Sequence, residues 1–200
     1  MGLAERKQRQ QQELKDQIIT CSREIVEKEG WSALSIRKIA DAIEYSVPVI
    51  YKHFENKEAI AAHFVKEGYE KLNIALESEI NMELDSASKI KQLAKTYWLF
   101  AAQFPKHYEI MFGLGIPSCE HSNESEVIKK VSDKMLLIIE DAIKESGKTN
   151  IDKYLKLKTL WSILHGIVAI DLLSLHNRKN ICPSAVLEDA IDGYIKSILV

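Results

Sequence analysis

Side chains able to do covalent chemistry are scattered through these 200 residues. There is no glycine-rich phosphate loop, no His-Glu-x-x-His helix and no nucleophile elbow, and no Ser-His-Asp arrangement stands out. Cys21, Cys119 and Cys182 are odd in number and widely spaced, with no Cys-x-x-Cys pair. That argues against a disulfide framework or zinc site and for a reducing compartment. His107 and His121 stand 14 residues apart with Cys119 between them, a spacing that gives a metal site little support. No metal, no cofactor and no enzymatic activity are expected.

The informative stretch is Ser35 to Lys57, SIRKIADAIEYSVPVIYKHFENK. Its cations Arg37, Lys38, Lys52 and Lys57 face Asp41, Glu44 and Glu55, four against three, a net of +1. Charge alone does not single out nucleic acid; spacing does. Ile36, Ile39, Ala40 and Ile43 recur at helical spacing. Glu44-Tyr45 interrupts that face, Ser46 can cap a new helix by accepting a backbone N–H bond, and Pro48 falls in its first turn, where a missing N–H costs nothing. Ile50, Tyr51 and Phe54 then form an inward edge. Two short helices joined by a three- or four-residue turn make a helix-turn-helix, whose second helix, Ser46 to Lys52, is shaped for a DNA major groove.

Ile39-Ala40-Asp41-Ala42, then Ser46, then Ile50-Tyr51-Lys52-His53-Phe54-Glu55-Asn56-Lys57-Glu58 resembles the signature of tetracycline-repressor-type (TetR) regulators, over roughly 12–72. The resemblance implies a three-helix DNA-binding domain with phosphate contacts from Ser35, Tyr51, His53 and Lys57. Arg37 and Lys52 can reach phosphate or a base edge. Two departures stand out. Glu44 occupies the place of a turn glycine, so a left-handed backbone there is strained. Val47, Pro48 and Val49 replace polar or small residues, which points to apolar contact with thymine methyls.

The elements that position this motif are helical. A composition of 46% hydrophobic and 28% charged residues, with four prolines and eight glycines, suits a folded, largely helical chain. Net charge is −2, no run is apolar enough to span a membrane, and no signal region leads the chain. A cytoplasmic protein is expected. Residues 1–12 read as a frayed tail or helix start, or as a basic arm through Arg6, Lys7 and Arg9. A first helix follows over about 12–29, with Leu14, Ile18, Cys21, Ile25 and Val26 inward and Gly30 ending it. Asn56 caps a helix over about 57–80, and Lys57 in its first turn sits against the helix dipole. Further helices are expected to about Gln103, to Phe112, before Gly147, over about 150–177 and from Pro183 to the end, with a loop over 113–122. The fold class is all-α, about nine helices.

The segments YWLFAAQFPKHYEIMFG and LWSILHGIVAIDLL resemble the C-terminal domain of a TetR subgroup labelled by a tryptophan, histidine and glycine, here Trp161, His165 and Gly166. This implies that residues 73–200 dimerise and respond to a small molecule. Leu160, Leu164, Val168, Leu172 and Leu175, widened by Ile163, Ile167 and Ile170, form a stripe that suits a two-fold helix pair or burial within one subunit. Tyr97, Trp98, Phe104, Tyr108, Phe112, Trp161 and His165 can line an apolar pocket or simply a core. Asp171, in an apolar helix, needs a partner if buried; it faces solvent, or it pairs with a cationic ligand group. The expected molecule is a homodimeric repressor, released from a near-palindromic double-stranded operator by an unknown effector. The rival is a helical ligand-binding or scaffolding protein that has lost specific DNA recognition.

Overall fold

A computed structural model describes residues 2–113, 126–173 and 183–200. Among the described residues the chain forms nine α-helices, one 3₁₀ turn and no strand, so the all-α expectation holds. Two compact units emerge, Met1–Val65 with Lys106–His121 and Lys66–Pro105 with Ser122–Val200. Cys119, His121, Leu175, Asn177 and Cys182, and all of the expected loop beyond Gly113, lie outside the described residues.

In the first unit, α1 spans Leu3–Glu29, beginning two turns before the apolar pattern does. Residues 3–12 lack an inward face but are mostly good helix formers. Side chains a turn apart join them: Arg9 pairs with Glu13 at 3.0 Å, and the Gln12 amide donates to Asp16 at 2.7 Å. From Ile18 onward α1 is anchored by the buried Ile18, Ile19, Ile25 and Val26. Cys21 is half-buried rather than a full core residue. Burial, then the Glu24 charge, pushes its thiol pKa up, which keeps it unreactive. A 3₁₀ turn, Trp31–Ala33, follows. The Trp31 indole N–H donates to the Lys106 carbonyl at 2.8 Å, and its ring meets Phe64 edge-on at 5.3 Å. Through Lys106, α6 (Pro105–Phe112) joins this unit despite its distance in sequence.

Helix α2 spans Ile36–Ala42 and buries Ile36, Ile39 and Ala40. The Ser35 hydroxyl, not foreseen as a cap, accepts from the Lys38 N–H at 3.2 Å. At the other end the Tyr45 N–H donates to Ala40 O at 3.0 Å and the Glu44 N–H to Asp41 O at 3.4 Å. These two bonds make a Schellman ending, which requires a left-handed residue. Glu44 supplies it at φ +59°, the single non-glycine residue with positive φ among the described residues. The strain expected from the missing glycine is therefore present. Helix α3 spans Val47–Tyr51, and α4 spans Lys57–Glu79, with Asn56 Oδ1 accepting from the Ala59 N–H at 2.7 Å. Ile60 and Phe64 of α4 are buried.

The second unit holds the rest of α4 with α5 (Ser86–Gln103), α7 (Glu126–Ser146), α8 (Lys153–Leu173) and α9 (Pro183–Leu199). Asp85 caps α5, accepting from the Ser88 N–H at 2.9 Å. The core gathers Leu72, Leu76, Ile90, Leu93, Tyr97, Met135, Ile138, Ile139 and Ile198. Polar contacts stitch the helices at particular points. The buried Lys89 meets Asp141 at 3.4 Å, the Trp98 indole N–H donates to Asp171 at 2.9 Å, and the Tyr194 hydroxyl donates to Lys156 O at 3.0 Å.

Four expectations change. Tyr51 points outward, 52% exposed, so Ile50 and Phe54 alone form the inward edge of α3. Ser46 occupies the N-cap position without a side-chain capping bond. Helix α8 starts at Lys153 rather than near Asn150, because Asp152 accepts from the Tyr154 N–H at 2.8 Å and fixes the start. Leu160, Leu164 and Val168 are buried within the unit, so this part of the stripe is core and is not available to a second copy, while Leu172 is half-buried.

Two stability effects are expected. Glu44→Gly removes the left-handed penalty and should raise the unfolding free energy by about 1 kcal/mol; an unchanged or lower denaturation midpoint contradicts the strain. Trp98→Phe strips Asp171 of its donor and should cost about 1.5–3 kcal/mol, as for a hydrogen bond to a charged group; equal stability in urea melts means the bond contributes nothing.

Candidate nucleic-acid interface

Five residues cannot form a stable helix alone, because nucleation is costly. Helix α3 is held by what surrounds it. Ile50 is wholly buried and Phe54 nearly so. The Ser46 carbonyl accepts the Val49 N–H at 2.9 Å, and Pro48 sits in the first turn. Everything else on α3 faces outward: Pro48, Tyr51 and Lys52 are exposed, and Val47, Val49 and His53 are half-exposed. The result is a rigid, mostly apolar tip with a phenol, an ammonium and an imidazole at its trailing end.

The flanking residues divide by their partners. Ser35, Arg37 and Ser46 are exposed. Lys38 is held by Glu29 across to α1, which leaves Arg37 as the outward cation of α2. Lys57 is exposed at the start of α4, its Nζ 4.0 Å from Glu58, a contact at the outer limit for an ion pair. All ten residues singled out in the sequence, Ser35, Arg37, Ser46, Val47, Pro48, Val49, Tyr51, Lys52, His53 and Lys57, are at least partly solvent-accessible on the first unit.

One contribution is not marked by apolar spacing in the sequence. Gln8, Gln11, Gln12, Leu14 and Lys15 of α1 face Val49, Lys52 and His53 across a groove of 420 Å³. Of the readings open for residues 1–12, the helix start is the one that puts those glutamines there. The signal was their spacing of three and four residues, with no apolar residue to mark it.

The pocket residues separate into two groups. Tyr108 and Phe112 stack at 4.6 Å within the first unit, Tyr108 wholly buried. In the second unit Tyr97 is wholly buried, while Trp98, Phe104, Trp161, His165 and Asp171 are half-buried. Phe104 packs on Phe100 at 5.5 Å with the Lys71 ammonium 5.2 Å from its ring centroid. Asp171 accepts from Trp98, so a protein partner answers the question of its burial. Burial holds the His165 imidazole below its ordinary pKa and favours the neutral ring. Trp98 also borders a 310 Å³ groove between α5 and α9, floored by Ala94, Leu187 and Ile191, with Lys91, Lys95, Glu188 and Asp192 on its rim. Among the described residues, no group of three or more His, Cys, Asp or Glu side chains is placed to hold a metal. Among them too, no helix is long and apolar enough to cross a membrane.

Comparison with known proteins places this geometry. No curated protein sequence matches the chain. Among solved structures, a protein of unknown function from Rhodococcus sp. RHA1 superposes with a TM-score of 0.77 at 20% identity, covering 94% of this chain and 96% of that one. A tetR-family regulatory protein from Rhodococcus RHA1 gives 0.68 at 14% identity, covering 92% and 96%. The regulator FadR from Bacillus subtilis, in complex with stearoyl-CoA, gives 0.70 at 19%, covering 91% and 98%. At such identities these structures share a fold. The sequence profile "Bacterial regulatory proteins, tetR family" matches residues 18–64, the stretch that builds α2, α3 and their supports. "Tetracyclin repressor-like, C-terminal domain" matches residues 90–193, more than half of the chain. With a helix-turn-helix at one end and that domain at the other, the chain belongs to the TetR family of bacterial regulatory proteins.

Proposed function

We propose that this TetR-family DNA-binding regulator acts in the cytoplasm as a homodimeric repressor of a near-palindromic operator, released by a small molecule bound in residues 73–200, and that it has no catalytic activity. The observation that carries the reading is α3, pinned by Ile50 and Phe54 and turning Val47, Pro48, Val49, Tyr51 and Lys52 outward. In a dimer, two such helices enter successive major grooves about 34–36 Å apart. Ser35, Tyr51, His53 and Lys57 bind phosphates and set register, while Arg37 and Lys52 take phosphate or a base edge. The tip of Ser46, Val47, Pro48 and Val49 reads thymine methyls by apolar contact more than by bidentate hydrogen bonds.

The outer faces of α8 and α9 support the dimer. Leu155 and Ile170 are 62% and 65% exposed and share a helix face with Ser162 and Gly166. On α9, Val186 is 43% exposed and shares a face with Gly193 and Ser197. A Cβ at Gly166 or Gly193 would meet nothing within 4 Å. Each mid-helix glycine costs about 1 kcal/mol relative to alanine, and nothing near it in the subunit requires it. Small residues between aliphatic ones permit close approach of a second copy's helices.

An effector acts only by binding one arrangement of the dimer better than the other, and a tenfold loss of operator affinity needs about 1.4 kcal/mol of that difference. The FadR structure with stearoyl-CoA supports a ligand in this fold; its ligand class stays with that protein.

Selection of bound duplexes from a random pool at two salt concentrations tests the reading. A palindromic motif with a steep salt slope is expected; no enrichment favours a helical protein without specific DNA recognition. Val47→Ala and Val49→Ala should weaken sites carrying the contacted thymines by about 1 kcal/mol or more and spare sites lacking them; a uniform loss contradicts methyl reading. In sedimentation at micromolar concentration the protein should run as a dimer. Gly166→Leu and Gly193→Leu should convert it to monomer with helical content retained, whereas a wild-type monomer overturns the assembly.

A further inference from the structure

The inward stripe of α1 changes character along its length. Ile18, Ser22, Ile25 and Val26 on that stripe are buried. The same stripe continued upstream carries Lys15, Gln12, Gln11 and Gln8, a run spaced three and four residues apart. Instead of packing, these residues stand across the 420 Å³ groove from Val49, Lys52 and His53. A face built to bury against protein would be apolar here. This one offers three carboxamides, two ammonium groups and an imidazole, and none of the eight residues lining the groove is acidic.

Two carboxylates among the same turns of α1 are already engaged. Glu13 is paired with Arg9 at 3.0 Å and Asp16 accepts from Gln12 at 2.7 Å. Lys15 Nζ lies 5.8 Å from the Phe54 ring centroid, which draws this cation toward the end of α3. A groove rich in donors and free of acids, alongside a helix that enters DNA, suits a phosphodiester strand.

We propose that the N-terminal extension of α1 is a second DNA-contacting element: the Gln8–Gln11–Gln12–Lys15 face and the Lys52–His53 end of α3 together clamp the sugar–phosphate backbone flanking the bases that α3 reads. The inference rests on the DNA-binding reading above. Glutamine amides donate to phosphate oxygens without releasing counterions, whereas Lys15 releases them. The basic residue Arg9, already paired on the outer side, is not the anchor. The extension therefore lengthens the footprint and raises affinity without adding sequence preference.

The test uses the full chain and the duplex recovered by random-pool selection, with 8 bp flanks. Gln8→Glu/Gln11→Glu should weaken binding about tenfold or more by setting carboxylates against phosphates, equally on all sequences. Gln8→Ala/Gln11→Ala should weaken binding less and leave the salt slope unchanged, while Lys15→Gln should lower that slope by about 0.9 per subunit. Hydroxyl-radical protection should extend into the flanks for the wild type and contract in both double variants. Wild-type binding with unchanged affinity and footprint in every variant overturns the clamp alone. Failure of the wild type to select any duplex overturns the DNA-binding reading with it. Circular dichroism of each variant guards against a folding defect, which alanine at these helix positions should not cause.

Discussion

Helix α3 is too short to exist by itself, and the first unit is arranged to hold it. Val47–Tyr51 makes little more than one turn, and its geometry comes from burying Ile50 and Phe54 and from the reversal of the chain just before it. That reversal forces Glu44 into a left-handed backbone. A glycine would remove the strain at no steric cost. The chain instead tolerates a penalty of about 1–2 kcal/mol, small beside the burial of two large side chains at roughly 1.5–3 kcal/mol each. Packing outweighs local conformational preference at this turn, and the direction in which α3 points depends on that outcome.

Charge has a positional role here rather than a bulk one. With a net of −2 over the chain and +1 across Ser35–Lys57, no strong field draws the protein to nucleic acid. Of the cations near the motif, Lys38 is tied to Glu29 and Arg9 to Glu13. Those pairings support helices, and they leave Arg37, Lys52 and Lys57 as the outward cations of α2, α3 and the start of α4. With so few outward cations, the place at which the fold holds each one counts for more than their number.

The second unit shows how a helix that is apolar nearly all round can be read in two ways. Leu160, Leu164 and Val168 turn inward, so that part of the stripe most obvious in the sequence is core. The face left over carries Leu155, Ser162, Gly166 and Ile170, less hydrophobic in sum and smaller at its middle. Hydrophobic periodicity identifies buried faces without saying whether the same subunit or another copy buries them. Similarly, Asp171, which the sequence leaves to solvent or to a cationic ligand group, takes its donor from the Trp98 indole, 73 positions away.

Local signals in the sequence determined much of this protein. The positions of the helices follow from apolar spacing and from caps such as Asp85 and Asn56, because those are contacts over three or four residues. The motif from Ile39 to Glu58 identified the helix-turn-helix, since its turn, its proline and its buried Ile50 are all set within a few residues of one another. Tertiary structure decided what depends on distant partners. It turned Tyr51 outward, extended α1 through a polar stretch with no apolar periodicity, and drew α6 to the helix-turn-helix unit through Trp31 and Lys106. It also divided the aromatic residues between two units. A side chain's neighbours along the chain limit its conformation, but its burial and hydrogen-bond partners are chosen by groups tens of residues away, and pattern within one segment carries no record of them.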